Sequence, residues 1–336
     1  MSGTFLGYPF DEELFLMQWQ AAQDPTKLAM LNSGAIQNNA TIKNLISNGS
    51  NLYTIPFYDV LGGDPENYDG QTNITTTEPT GKSQSGVVYG RAHGWLERDF
   101  VRDFNSGADP MKQITSQVSK YWNKKRQGTV LDILNGIFAT TDNTGGYQAK
   151  WKNHTIDLIA EGDGVLTDTS VGDACQHAVG DNADSFSLLW MHSKVAQNLA
   201  NLQLLQYRKY TDAMGIERQL KIADYNGKTV IVDDDCPVNM VEDEAVYTTY
   251  VLGMGAIQYA DAPVEKPTEI SRDAKRYGGV TELITRLRET YHPNGFSFKL
   301  PAGCISPTNA QLGAAANWMI AVDPKLIPMV KLLSKG

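Results

Sequence analysis

The sequence predicts an α+β fold with one long helix and one long projecting hairpin. Three observations carry that prediction. Behind an Asp109-Pro110 start, Met111, Ile114, Val118 and Trp122 recur at spacings of three and four, a single apolar helical stripe. Two runs rich in β-branched and aromatic residues, Leu52–Tyr58 and Gly86–Gly90, flank a long polar connection full of turn formers. Beyond Gly215, short strand patterns alternate with turn signals such as Asn226-Gly227 and Asp233-Asp234-Asp235.

Taken in order, residues 1–50 read as a mixed, partly helical arm. Asp11 caps a short helix carrying Leu14, Phe15, Met17 and Trp19, and a second apolar stretch follows Pro25. Residues 51–105 read as an extended hairpin. Arms of about 15 residues would reach about 50 Å, and such a ribbon needs another surface to lie on. The helix starts at Pro110, gathers Lys120, Lys124, Lys125 and Arg126, passes Gly128, and resumes its stripe with Val130, Leu131, Ile133, Leu134, Ile137 and Phe138. Run through to Phe138, it would be about 43 Å long. A further helix is predicted from Asp184 to about Tyr210, with Phe186, Leu189, Val195, Leu199, Leu202 and Leu205 inward. Strands follow at Arg218–Ala223, Thr229–Val232 and Ala245–Leu252. Glu282–Arg288 is ambiguous, Gly295–Phe298 alternates like a strand, and 306–317 looks helical.

Composition excludes several classes. The 336 residues include 29 Lys plus Arg against 38 Asp plus Glu, a net charge of -9, so the basic surplus of a phosphate-gripping protein is absent. Cys175, Cys236 and Cys304 are too far apart for a disulfide framework or a thiolate metal site. The longest apolar runs, such as Trp318–Val322, fall far short of a membrane span of about 18 residues. The acidic Asp11-Glu12-Glu13 directly after Phe10 does not fit a secretory signal, so folding in a cytoplasm is expected.

Motifs for chemistry are weak. Glu78–Ser83 has the end of a phosphate loop, but Thr76 stands where its first glycine belongs, which leaves a turn. Gly253-Met254-Gly255 lacks the third glycine of a dinucleotide fingerprint, Gln258 being there instead. Asp233–Asp235 offers carboxylates without calcium-loop spacing. Cys175 and His177, two apart on a helix, do not face one way, although a Cys–His pair can make a nucleophile and, with His192, a zinc site. No catalytic, cofactor or metal site is expected. The arm, hairpin and long helix carry surfaces they cannot cover alone, which implies assembly.

Several stretches resemble the major capsid proteins of tailed bacteriophages, the Hong Kong 97-type fold. Pro56–Asp59 through Gly62–Gly70 is similar to the opening of that family's extended loop. His93–Asp99 and Ser106–Pro110, followed by Val118, Tyr121-Trp122, Arg126-Gln127 and Leu134–Ala139, resemble its spine helix and approach. Gly227–Asp234, His292–Phe298, Asn317-Trp318 and Asp323–Lys325 resemble later strands and the closing segment. The match spans about 50–336, and its order and spacing carry it.

The resemblance implies an N-terminal arm (1–50), an extended loop (51–105), a peripheral domain with the spine helix (106–165), a mainly axial domain (166–275), and return strands with a closing segment (276–336). It implies a subunit forming pentamers and hexamers of an icosahedral head around double-stranded DNA, without sequence-specific binding. Portal and possibly decoration proteins would be its partners. No charged helical leader precedes residue 11, so scaffolding is expected as a separate protein. Lys82 lies in the loop, but no acidic partner can be placed from sequence, and no cross-link is expected. An encapsulin-like compartment is the first alternative, and an enzyme using Asp233–Asp235 or Cys175/His177 the second. Asp59, Asp64, Glu66 and Asp69 of the loop entry are expected to face Lys120, Lys124, Lys125 and Arg126 of a neighbour.

Overall fold

A computed structural model describes residues 3–5, 8–10, 15, 17, 30–59, 64–68, 70–71, 74, 76, 78, 81–98, 110–211, 217–241 and 244–336. The long helix runs unbroken over Pro110–Phe138, 29 residues. Val118, Trp122, Val130, Leu131, Ile133, Leu134 and Ile137 are buried along it. Met111 and Ile114 fall within the helix, their side chains outside the described residues. Gly128 faces open space, a cost of about 1 kcal/mol relative to alanine that the long apolar stripe outweighs. Gly136 has a packing reason: a Cβ there would come within 2.7 Å of the Leu312 carbonyl oxygen.

Two sheets flank this helix. The five-stranded one has the order Thr268–Asp273, Val280–Pro293, Ile257–Ala262, Ile36–Asn38, and Tyr89–Arg98 pairs along the other side of Val280–Pro293. Its 14-residue strand settles the ambiguous Glu282–Arg288 stretch. From Thr281 to Glu289 burial alternates, as in a sheet with one covered face. From Glu289 onward every residue is buried, because the hairpin roots on the outer face there.

The eight-stranded sheet has Glu244–Gly253 between Met329–Ser334 and Phe186–Met191, followed by Lys228–Val232, Glu217–Tyr225 and Gln206–Thr211. Here the predicted 184–210 helix is corrected. Phe186–Met191 is a central strand, Ser193–Asn201 a helix, and Gln206–Thr211 a strand. A strand buried on both faces reads as an unbroken apolar run, which periodicity does not separate from a helix. Leu188 and Trp190 join the core shared with the long helix, while Leu189 and Met191 face the cluster under Ser170–Val179 and Ser193–Asn201.

Other expectations shift in detail. Leu52–Tyr58 pairs with Gly81–Val87, while Tyr89–Arg98 enters the five-stranded sheet, so the expected Gly86–Gly90 strand is split at Val88 between two sheets. The described ladder, seven residues per strand, is about half the predicted arm. The predicted boundary at 275 does not follow the sheets: Ile257–Ala262 and Thr268–Asp273 belong to the five-stranded sheet, and Met329–Ser334 to the eight-stranded one. Within 306–317 the α-helix is only Asn309–Leu312, held by a Thr308/Gln311 capping box. Phe15 and Met17 are helical and Phe15 is buried; Asp11, Leu14 and Trp19 lie outside the described residues. No described helix is long and apolar enough to cross a membrane.

Candidate subunit-contact site

The hairpin is fixed at its root by side chains buried against the 290–297 segment. Gln84 presents its amide oxygen to two donors, His292 Nε2–H and the Gly295 backbone N–H, both at 3.1 Å. The Thr290 hydroxyl donates to the Val87 carbonyl at 2.8 Å and accepts from the Tyr53 hydroxyl at 2.9 Å. The Ser85 N–H donates to Ser297 Oγ at 3.2 Å. Such satisfied buried polar groups set one register for the hairpin.

His292 is fully enclosed, and burial pulls its imidazole down to about 4, so it is neutral at pH 7. In the unfolded chain it binds a proton near 6.5, which the folded chain does not bind until about pH 4. Stability is therefore present above pH 6.5 and lost as pH falls through that window, by at most about 3 kcal/mol. Urea midpoints measured from pH 7 to pH 4 should fall more steeply for the wild type than for His292→Gln, which retains an N–H donor. Parallel curves would assign the acid sensitivity to other groups.

Next to this root, Lys82 Nζ lies 2.5 Å from Asp59 Oδ2 and donates to the Tyr147 hydroxyl at 2.9 Å. The acid beside Lys82 is Asp59, one residue past the end of the Leu52–Tyr58 strand. The hydrogen bond to Asp59, reinforced by Tyr147, raises the Lys82 pKa and keeps the amine protonated, the opposite of what a nucleophilic lysine needs.

Asp64 and Glu66 lie in the exposed stretch 64–68, and Asp69 lies outside the described residues. On the long helix, Lys120, Lys124 and Lys125 are exposed. Lys124 Nζ is 3.5 Å from Asp235 Oδ2, and Lys125 Nζ sits 5.7 Å from the centre of the Tyr121 ring. His93 stacks on Tyr121 at 4.9 Å, and Trp95 meets both edge-on at 4.8 and 5.4 Å. These rings join the basic stretch of the helix to the Tyr89–Arg98 strand.

Arg126 does not belong with the three lysines. Its Nε donates to Glu289 Oε2 at 2.7 Å, and the Glu289 side chain is 2% exposed. Burial disfavours the guanidinium charge, but the adjacent Glu289 carboxylate outweighs that and raises the pKa. The Tyr89 hydroxyl donates to the other Glu289 oxygen at 3.4 Å. Arg126 is thus an internal link from helix to sheet, a correction to its expected place on the contact surface. The signal for it in the sequence is Glu289, an acid at an inward position of an alternating strand, readable only once Glu282–Arg288 is known to be a strand.

The chemical motifs resolve into structure. Gly81-Lys82-Ser83 opens the hairpin's return strand. Gly253 passes so close to Pro328 that a Cβ would come within 2.5 Å of the proline Cβ, a tight backbone passage. Asp233 accepts from Trp190 Nε1–H at 3.3 Å and from the Asp235 N–H at 3.0 Å, an ordinary turn. Cys175 is buried, which pushes its thiol up to about 11, and His177 Nδ1 bonds the Asn153 carbonyl oxygen at 3.2 Å. Among the described residues no three His, Cys, Asp or Glu side chains are grouped to hold a metal.

Comparison with known proteins adds direct evidence. The family model "Gp13-like: Major capsid protein 13-like" matches residues 108–327. The major capsid protein of Bacillus phage SPP1 is 29% identical over 285 residues, covering 84% of this chain and 83% of that protein. Among solved structures, the capsid of cyanophage Pam1 aligns over 93% of each chain with a TM-score of 0.57 at 11% identity. The capsid of Ralstonia phage GP4 covers 78% of this chain and 84% of its own, with a TM-score of 0.54 at 10% identity. At those identities the structural likeness speaks to the fold, which is that of phage capsids.

Proposed function

Because the chain belongs to the major capsid protein 13-like family of tailed phages, we propose that its copies close as pentamers and hexamers into an icosahedral head around double-stranded DNA. The observation that carries this reading is the family match over 108–327, which takes in both the long helix and most of the eight-stranded sheet. The five-stranded sheet with the long helix corresponds to the peripheral domain, and the eight-stranded sheet to the axial domain. An acidic shell, net charge -9, encloses DNA without gripping it, which suits a genome that must leave. Scaffolding, portal and decoration proteins are its partners, and assembly takes place in the host cytoplasm. Light scattering on a size-exclusion column should give a megadalton particle. A monomer with a metal requirement would point to the enzyme reading, and shells holding protein cargo in place of nucleic acid to the compartment.

Neighbouring copies meet through Asp64, Glu66 and Asp69 of one hairpin and Lys120, Lys124 and Lys125 of the next copy's helix. Each exposed pair contributes only about 0–1 kcal/mol, so the effect depends on repetition over the shell. Lys124→Glu with Lys125→Glu should lower particle yield, and Asp64→Lys with Glu66→Lys in the same chain should partly restore it. Absence of rescue would remove the charge pairing.

A further inference from the structure

Four Asn-Gly pairs occur in the chain, at 48–49, 135–136, 226–227 and 294–295. In such a pair the glycine backbone nitrogen can close a five-membered ring on the asparagine side-chain carbon, because no Cβ on the glycine hinders the approach. What else holds the glycine N–H decides whether it does, and the structure separates the four. The Gly49 N–H donates to the Ile46 carbonyl at 3.2 Å. Gly136 is buried inside the long helix, where its N–H belongs to the helical ladder. Gly295 is also buried, and its N–H donates to Gln84 Oε1 at 3.1 Å. Gly227 differs. With Asn226 it makes the two-residue turn between Glu217–Tyr225 and Lys228–Val232, both residues exposed, with φ of +46° at Asn226 and +75° at Gly227. Such a turn closes through the N–H and C=O groups of its flanking residues, Tyr225 and Lys228, and leaves the central glycine N–H to solvent. Among the described residues the Gly227 N–H has no partner, and no heavy atom lies within 4 Å of where a Cβ would sit.

We infer that Asn226-Gly227 is a self-modification site, at which the folded chain converts its own asparagine to aspartate and isoaspartate. The Gly227 nitrogen gives its proton to water and attacks Asn226 Cγ. The N–Cγ bond forms, the Cγ–Nδ2 bond breaks, and Nδ2 leaves as ammonia carrying an equivalent proton from water. Water then opens the cyclic imide. Breaking the new N–Cγ bond gives aspartate, and breaking the bond from that nitrogen to the Asn226 main-chain carbonyl carbon gives isoaspartate. No oxidant or reductant takes part. Either product places a carboxylate where a neutral amide stood. Isoaspartate also lengthens the main chain by a methylene, inside a turn whose length fixes the Tyr225–Lys228 register. Lys228–Val232 is an interior strand paired in parallel with Phe186–Met191, so a change at the turn reaches the middle of the eight-stranded sheet.

The test uses the full chain as unassembled subunits, incubated folded at mildly alkaline pH and then digested with trypsin. Cleavage after Lys221 and Lys228 releases residues 222–228, in which Asn226 is the sole asparagine. That peptide should gain the mass of an amide-to-acid conversion and split into separately eluting aspartate and isoaspartate forms. Peptides holding Asn48, Asn135 and Asn294 should stay unchanged over the same time. In urea all four should convert together, because unfolding frees every glycine N–H. An unconverted Asn226 in the folded chain, or conversion of all four alike there, would overturn the assignment. Asn226→Gly tolerates the same turn and has no side-chain carbon to attack. Incubated wild type should therefore lose urea midpoint against a fresh sample, while Asn226→Gly keeps its own. An equal fall in both would overturn the link to the sheet.

Discussion

Glu289→Ala is expected to cost about 3–5 kcal/mol of subunit stability, because it leaves the Arg126 guanidinium without its counter-charge between the long helix and the five-stranded sheet. Arg126 is 17% exposed and 2.7 Å from the carboxylate, so little water can replace the lost partner. The double replacement Arg126→Met, Glu289→Leu removes both charges and should recover most of the loss, since a buried pair repays little beyond its own desolvation. Urea unfolding of unassembled subunits, followed by tryptophan fluorescence, reads both. A single-variant cost under about 1 kcal/mol would mean that the guanidinium finds water as an exposed pair does.

Trp122→Ala should cost a similar amount, about 3–5 kcal/mol, by opening a cavity where the helix meets the sheet. The ring is 3% exposed and packs with Phe15, Val118, Leu283 and Leu287. Its Nε1–H donates to Thr285 Oγ1 at 3.1 Å, and that hydroxyl donates onward to the His93 carbonyl at 3.2 Å. Trp122→Phe keeps much of the volume and loses the N–H, so it should be clearly milder. Equal midpoints for the wild type and Trp122→Ala would place the ring outside the core.

How much of this was legible in the sequence depends on what each signal needs to be read. The long helix was legible to its ends, because a Pro at the first position and a repeat of three and four are properties of neighbours in the chain. Val118 and Trp122 were found in the same way. The fate of each charge was less visible. Arg126 sits one residue from Lys125, yet one faces Glu289, 163 positions away, and the other a tyrosine ring on its own helix. Helical spacing sets Arg126 on the buried row, four residues from both Trp122 and Val130, but its partner Glu289 is supplied only by the fold.

By itself the sequence determined the element types where periodicity is clean, the absence of a basic surplus, and a family resemblance carried by motif order. Only the tertiary structure decided that Phe186–Met191 is a strand, that Val88 divides the hairpin from the sheet, and that Gln84 meets His292. The physical reason is common to all three. Burial on a second face and long-range hydrogen bonds are supplied by segments distant in the chain, and local patterns record only the environment that a residue's near neighbours create.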